Sequence, residues 1–311
     1  MPKALITGMA GQDGQLLSRH LVNEGYDVVG TTRGEGREIS LENGALYLRQ
    51  CDYERRSIEA LLEEEQPDEV YNLAGQAYVG KSWLKVEETL QSVALISARF
   101  LESIFKVNSK IHFFQASTSQ IYAPSDEVLT EESQFGPNTP YGCSKMYAHF
   151  LVQSFRETQG LFAVNGILFN HESPLRKDDF FLQKVVIGAV AISRGELDEL
   201  DLGNLEIYRD MGCAAEFMKA AHLTLQADEP GDYNICTGVA MNLGDLVAHV
   251  FSKLGLDPDK YVRTNRNLIR RYEPPLIVGS HDAITRVTGW VPSRGIRSVL
   301  DEMLEAALEE S

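Results

Sequence analysis

Lys3-Ala-Leu-Ile-Thr-Gly-Met-Ala-Gly-Gln-Asp-Gly14 is the stretch that decides the fold. Residues 3–7 form a short, largely apolar run suited to a buried strand. Gly8, Gly11 and Gly14 follow at once, and a helical pattern then runs over residues 15–23. Strand, glycine-rich turn and helix make the first half of a dinucleotide-binding unit. Glycines allow the turn to be tight and bring backbone close to a pyrophosphate seated on the helix N-terminus. The spacing is GxxGxxG rather than GxGxxG. A glycine triplet alone says little; its position directly after an N-terminal strand gives it weight.

Downstream, residues 27–33 read as a second strand and residues 46–52 as a third, followed by a helix over 56–65. Residues 69–72 form a fourth strand, with Leu73, Ala74 and Gln76 at its exit, and a long helix is expected over 86–105. Residues 110–116 form a fifth strand, ending at Ser117-Thr118-Ser119-Gln120. Strand C-termini line the ligand crevice in open α/β sheets. Tyr141 and Lys145 are four residues apart and so share a helix face. An ammonium beside a phenol favours the phenolate, which makes Tyr141 a candidate acid/base for an alcohol or carbonyl. An ordinary surface helix shows the same spacing, so it is the pairing with the glycine turn that counts. The combination resembles the extended short-chain dehydrogenase/reductase superfamily.

At 311 residues and 43% apolar content, the chain can bury one large core or two modest ones. No apolar run is long enough for a transmembrane helix, and Met1-Pro-Lys leads directly into a strand with no signal-peptide pattern. The four cysteines (51, 143, 213 and 236) are scattered without metal-ligand spacing, as in reduced cytoplasmic proteins. A net charge of −16 opposes binding to nucleic acid or an anionic membrane. The acidic run at 63–65 fits a solvated helix end.

The resemblance narrows with Gly11-Gln-Asp-Gly14, Pro140-Tyr-Gly-Cys-Ser-Lys145 and, above all, Phe169-Asn-His-Glu-Ser-Pro174. Together they resemble the GDP-mannose 4,6-dehydratase family. This implies an α/β fold: a doubly wound parallel sheet (Rossmann-like) over residues 1–168, and a smaller α/β substrate domain from 169 with a segment near 233–236 returning to the first sheet. It implies NADP as cofactor, with NAD as the alternative. Gly8, Gly11, Gln12, Asp13 and Gly14 would hold it, with Arg33 on a 2′-phosphate, Asp52 near the adenine, and Leu73, Ala74, Gln76, Tyr141, Lys145 and His171 beside it. Glu35 keeps NAD open. Thr118, Gln120, Tyr141 and Lys145 occupy the catalytic positions. Ser119, Asn170, Glu172, Lys184, Arg209, Arg270 and Glu273 would bind a GDP-sugar. The helices at 86–105 and 141–158 would pair in a homodimer.

Two departures separate the chain from that pattern. The family carries Thr-x-Glu where this chain has Thr118-Ser119-Gln120. The family's arginine-rich segment after the second strand is also shortened here, between Arg33 and Tyr47. Ser82-Trp83 and Leu276-Ile-Val-Gly-Ser280 look more like GDP-4-keto-6-deoxymannose reductase. In the family's reaction a hydride leaves sugar C4, the glutamate removes the C5 proton, and the 6-hydroxyl departs as water. An amide is no base for that proton. Asp126, Glu127 and Glu172 are the candidate replacements, and Cys143 a weaker one. Three functions remain open: a dehydratase-like enzyme, a reductase or epimerase working at C4, and a non-catalytic nucleotide-sugar binder that would not need Tyr141 and Lys145.

Overall fold

The computed structural model describes residues 1–41, 44–269 and 273–309; Arg270, one of the expected substrate ligands, lies outside them. The first strand, β1 (Lys3–Thr7), is buried from Ala4 onward and leads into helix α1 (Gln12–Asn23). The helix thus starts within the glycine turn, three residues before the apolar periodicity does. β2 (Asp27–Thr32) pairs parallel to β1 on one side, and β5 (Glu69–Asn72) on the other. Between them in sequence lie β3 (Arg37–Leu41), β4 (Gly44–Gln50) and helix α2 (Arg55–Glu65). β3 and β4 are an antiparallel hairpin on the sheet edge. The strand expected over 46–52 is β4, two residues earlier than expected, whereas β3 falls in what the sequence reading treated only as a shortened connection.

Beyond β5 come the short helix α3 (Val86–Leu90), a π-helical turn at Gln91–Leu95, and α4 (Ile96–Val107). The single helix expected over 86–105 is therefore interrupted. β6 (His112–Thr118), helix α5 (Pro140–Gln159) and β7 (Ala163–Leu168) follow. The fifth strand begins and ends two residues later than expected. It therefore carries Ser117 and Thr118 on its last rungs.

Among the described residues the main sheet has eight strands, ordered β11-β7-β6-β5-β1-β2-β4-β3, where β11 is Asp232–Ile235. All its pairs are parallel except the edge hairpin. Strand order reverses at β1, so the C-terminal ends of β1 and β5 open a crevice where such sheets bind ligands.

The chain leaves β7 through Phe169 directly into β8 (Asn170–Glu172). Helix α6 (Phe181–Ser193), β9 (Leu200–Leu202), β10 (Tyr208–Cys213) and helix α7 (Ala214–Leu225) precede β11. β12 (Ala240–Asn242), α8 (Leu243–Lys253), α9 (Pro258–Tyr261), β13 (Val262–Thr264), β14 (Leu276–Ile277), α10 (Asp282–Thr288) and α11 (Ile296–Glu309) complete the chain. β10 is the spine of a second sheet, flanked by β12 and β14 and paired with β8 in register Met211 to Asn170. One buried cluster joins α6, α8 and α11 to β9 and β10. Another draws Phe217 and Met218 of α7, Ile235 of β11 and Ile284 of α10 onto the main sheet. Residues after 169 thus divide between two cores. Among the described residues no helix is long and apolar enough to cross a membrane.

Candidate active site between the two sheets

The turn after β1 has the close approach its glycines predict. Gly8 has φ +71°, and a Cβ there would lie 3.0 Å from the Ala74 nitrogen at the exit of β5. A Cβ on Gly14 would lie 2.6 Å from the Gly8 carbonyl oxygen. The turn is also tied to the second sheet. Ser173 Oγ donates to Gln12 Oε1 at 2.9 Å, and Gln12 Nε2 donates to the His171 carbonyl at 3.3 Å.

His171 Nδ1 is 2.7 Å from the Phe169 carbonyl and Nε2 is 3.1 Å from both Asp13 carboxylate oxygens. Both neighbours only accept, so both ring nitrogens donate and the imidazole is charged. Burial works against that charge, but Asp13 outweighs it and raises the His171 pKa. Burial likewise opposes ionisation of Asp13, yet His171 and the hydrogen bond from Gln12 hold its carboxyl well below the usual range. By linkage, the stability from His171 is fully present below its ordinary value of 6.5 and lost as pH rises through the folded value. That from Asp13 is present above its ordinary 3.8 and lost as pH falls through the folded value. Between the two ordinary values the pair contributes in full.

Breaking a buried pair costs about 3–5 kcal/mol. The Asp13 side chain keeps 26% of its surface exposed, so His171→Ala is expected at the low end, about 3 kcal/mol. In a chain this long that is a fall in Tm of about 6 °C. Calorimetry at pH 5–6 reads it, and an unchanged Tm would show that the pair contributes nothing.

Helix α5 starts sharply because Thr139 Oγ1 accepts from the Gly142 amide at 3.0 Å and Pro140 takes the first helical position. This places Tyr141 one residue into the helix and Lys145 a turn later, both buried. β6 delivers Thr118, whose hydroxyl favours the ionised Tyr141 phenol and accepts from the Gln120 backbone amide at 3.3 Å.

Lys145 departs from the expected partnership. Its ammonium donates to the Ala116 carbonyl at 2.6 Å and lies 5.8 Å from the Tyr141 ring centre. Burial lowers Lys145 to about 8. Burial also raises Tyr141 to about 12, against the Thr118 hydrogen bond and the charge of Arg176. The expectation that Lys145 depresses the phenol is therefore corrected: the carbonyl captures the ammonium, and desolvation governs Tyr141.

These groups face a crevice of about 330 Å³ between the two sheets. Thr118, Ser119, Gln120, Tyr141 and Lys145 line it from the main sheet, with Asp13, Leu73 and Gln76 beside them. Asn170, His171 and Glu172 line it from β8, Lys184 from α6 and Arg209 from β10, with Glu273 beside them. Lys184 Nζ donates to the Asp201 carbonyl at 2.6 Å, and Arg209 is 3.6 Å from Glu273. Gly8, Gly11, Gln12, Gly14, Arg33, Asp52 and Ala74 are outside this lining. Asp52 is exposed and its carboxylate accepts from the Glu54 amide at 2.8 Å, just ahead of helix α2. Asp126, Glu127 and Cys143 are exposed and also outside the lining. That leaves Glu172 as the one crevice carboxyl among the candidate replacement bases.

Arg176 was missed in the sequence. It sits 3.1 Å from Glu172 and stacks 3.6 Å over the Phe180 ring, which meets Tyr78 edge-on across the crevice. The Glu172-to-Arg176 spacing of four was the available signal. Burial raises the Glu172 pKa, against Arg176 and His171. Ser117 Oγ and Gln76 Oε1 are buried without a hydrogen-bond partner, and both residues line the crevice. A cleft with unmet polar atoms, a close-approach glycine turn and a buried Tyr-Lys pair is a nucleotide-cofactor site by its chemistry.

Known structures share the architecture. MoeE5 in complex with UDP-glucose and NAD superposes with TM-score 0.87 at 24% identity, over 99% of both chains. RMD from Pseudomonas aeruginosa complexed with NADPH does so with TM-score 0.85 at 22% identity, over 99% of this chain and 100% of that one. The model of the GDP-mannose 4,6 dehydratase family matches residues 5–303. The GDP-mannose 4,6-dehydratase of Sinorhizobium fredii (strain HH103) is 33% identical, over 98% of this chain and 96% of that protein. The GDP-mannose 4,6 dehydratase of Cricetulus griseus is 38% identical over 81% and 72%. The chain belongs to the GDP-mannose 4,6-dehydratase family.

Proposed function

We propose that the protein is a GDP-sugar-modifying enzyme that uses NADP to move a hydride at sugar C4. The observation that carries this is the convergence of Thr118, Tyr141 and Lys145 on one crevice with Asn170, Lys184 and Arg209. The glycine turn and the unmet Ser117 and Gln76 oxygens fit a dinucleotide. When bound, NADP supplies the hydride acceptor or donor. Tyr141 exchanges the proton of the C4 oxygen, and Thr118 holds that oxygen and the phenol in line. Lys145 supplies positive charge beneath them. Arg209 is suited to the diphosphate as a guanidinium fork, and Glu273 to ribose hydroxyls.

Gln120 lines the same crevice without a basic group, so Tyr141 chemistry is separated from removal of the C5 proton. A second reading, reduction of a 4-keto-6-deoxy sugar, is favoured by the state of Tyr141. A phenol raised to about 12 is protonated at neutral pH, the form that delivers a proton to a reduced ketone. Purified protein is tested with GDP-mannose and, separately, with GDP-4-keto-6-deoxymannose plus NADPH, the products being identified by mass and NMR. Conversion of neither would overturn the proposal.

The cofactor preference rests on Arg33 at the end of β2 with no acid at 31–33. Arg33→Ala is expected to weaken NADP(H) about tenfold or more and to leave NAD(H) nearly unchanged, as loss of a charge-assisted phosphate contact implies. Equal weakening of both in a binding titration would remove Arg33 from the role.

Residues 1–168 are proposed as the cofactor-binding part, and the α6, α8 and α11 cluster as the heart of the sugar-nucleotide part. A homodimer is proposed across the helices at 86–105 and 141–158. Val86, Leu90, Tyr147 and Phe150 there are 46–53% exposed. The free thiols suit a cytoplasmic setting.

A further inference from the structure

Away from the crevice, the turn after β4 carries an unusual residue. Tyr53 adopts φ +62°, a left-handed conformation that costs a bulky side chain about 1–2 kcal/mol. Its backbone is held there by Arg99 of α4, which donates to the Tyr53 carbonyl at 3.0 Å and pairs with Glu54 at 2.8 Å. The conformation turns the ring inward, leaving Tyr53 5% exposed. The Arg33 guanidinium lies 5.8 Å from the ring centre. The phenol is 2.7 Å from Thr31 Oγ1.

One hydroxyl thus ties the end of β2 to the chain leaving β4. In an open α/β sheet the end of the second strand meets a dinucleotide at the adenosine ribose. The crevice lining stops short of Gly8, Thr31 and Arg33.

We infer that Tyr53 sets the fit of the cofactor's adenosine end: its hydroxyl occupies the polar group that the ribose would use, and a dinucleotide binds by displacing it. The inference rests on the dinucleotide reading above. It makes Tyr53 an affinity-determining residue rather than a catalytic one. An apolar side chain there would leave the Thr31 hydroxyl open to ligand. Arg33 lies against the ring and is placed to exchange that aromatic face for a phosphate.

Tyr53→Phe keeps the ring and its packing and removes only the competing hydroxyl. The full-length protein and the variant are titrated with adenosine 2′,5′-bisphosphate, with NADPH, and with GDP as a control for an intact sugar-nucleotide site. The variant is expected to bind both adenosine-containing probes about fivefold tighter, the worth of one net hydrogen bond, with GDP unchanged. Equal or weaker binding of those two probes would overturn the inference, because the hydroxyl would then only brace the turn. If GDP binds to both proteins and neither adenosine probe binds to either, the dinucleotide reading itself fails and the inference falls with it.

Discussion

Tyr141→Phe is expected to lower C4 hydride transfer by ~10²–10⁴-fold, the usual contribution of a general acid/base, while GDP and NADPH still bind. The phenol is the one titratable group placed by Thr118 in the crevice, and the substitution removes a single oxygen from a buried ring. Its pH dependence carries further information. Tyr141, raised by burial to about 12, is protonated at neutral pH, and Lys145, lowered by burial to about 8, loses its charge within the accessible range. The charged ammonium is therefore fully present below about pH 7 and fades as pH rises through about 8. Ketone reduction should fall off on the alkaline side, and Lys145→Ala should remove that limb along with most of the rate. A Tyr141→Phe variant within a few-fold of native would exclude Tyr141 as the acid/base.

Gln120→Glu is expected to raise GDP-mannose dehydration by up to ~10²–10⁴-fold, because it returns a carboxylate to the family position at nearly constant size. Gln120 lines the crevice, and its amide is fixed by the Thr118 hydroxyl at 3.3 Å. The new carboxylate would therefore start from an ordered backbone. Deprotonation at C5 is read directly as deuterium taken up from D₂O. If native protein already dehydrates GDP-mannose at about 1 s⁻¹ or faster, another base is present. Glu172, buried in the crevice beside Arg176 with a raised pKa, is then the group to replace by glutamine. If neither native protein nor Gln120→Glu dehydrates GDP-mannose, the sugar pocket itself differs from the family's.

The parts legible in the sequence were those set by local steric demands or by long, unusual runs. The glycine turn announced β1 and α1, because a close approach to Ala74 admits no side chain at Gly8. The four-residue spacing put Tyr141 and Lys145 on one helix face, and α5 carries both. Phe169 to Pro174 pointed to the family and to the crevice wall at β8. What was hidden depended on partners distant in sequence. Lys145 is bound by a carbonyl 29 residues away, and no spacing rule reveals that. The edge hairpin of β3 and β4 pairs backbone groups that a shortened connection conceals. The π-helical turn at Gln91–Leu95 is a change of backbone bonding within the helix that its residue spacing did not disclose. Asp52 was placed near the cofactor by resemblance; its carboxylate accepts from the Glu54 amide, a local bond that the resemblance did not announce.

Hydride transfer at sugar C4 is the step on which the functional account stands. The direct measurement is to incubate the native protein with GDP-4-keto-6-deoxymannose and NADPH deuterated at nicotinamide C4, and to locate the label by NMR. The account predicts one deuterium at sugar C4, lost with Tyr141→Phe. Label found at another carbon, or NADPH left unoxidised while the same preparation binds both ligands, would contradict it.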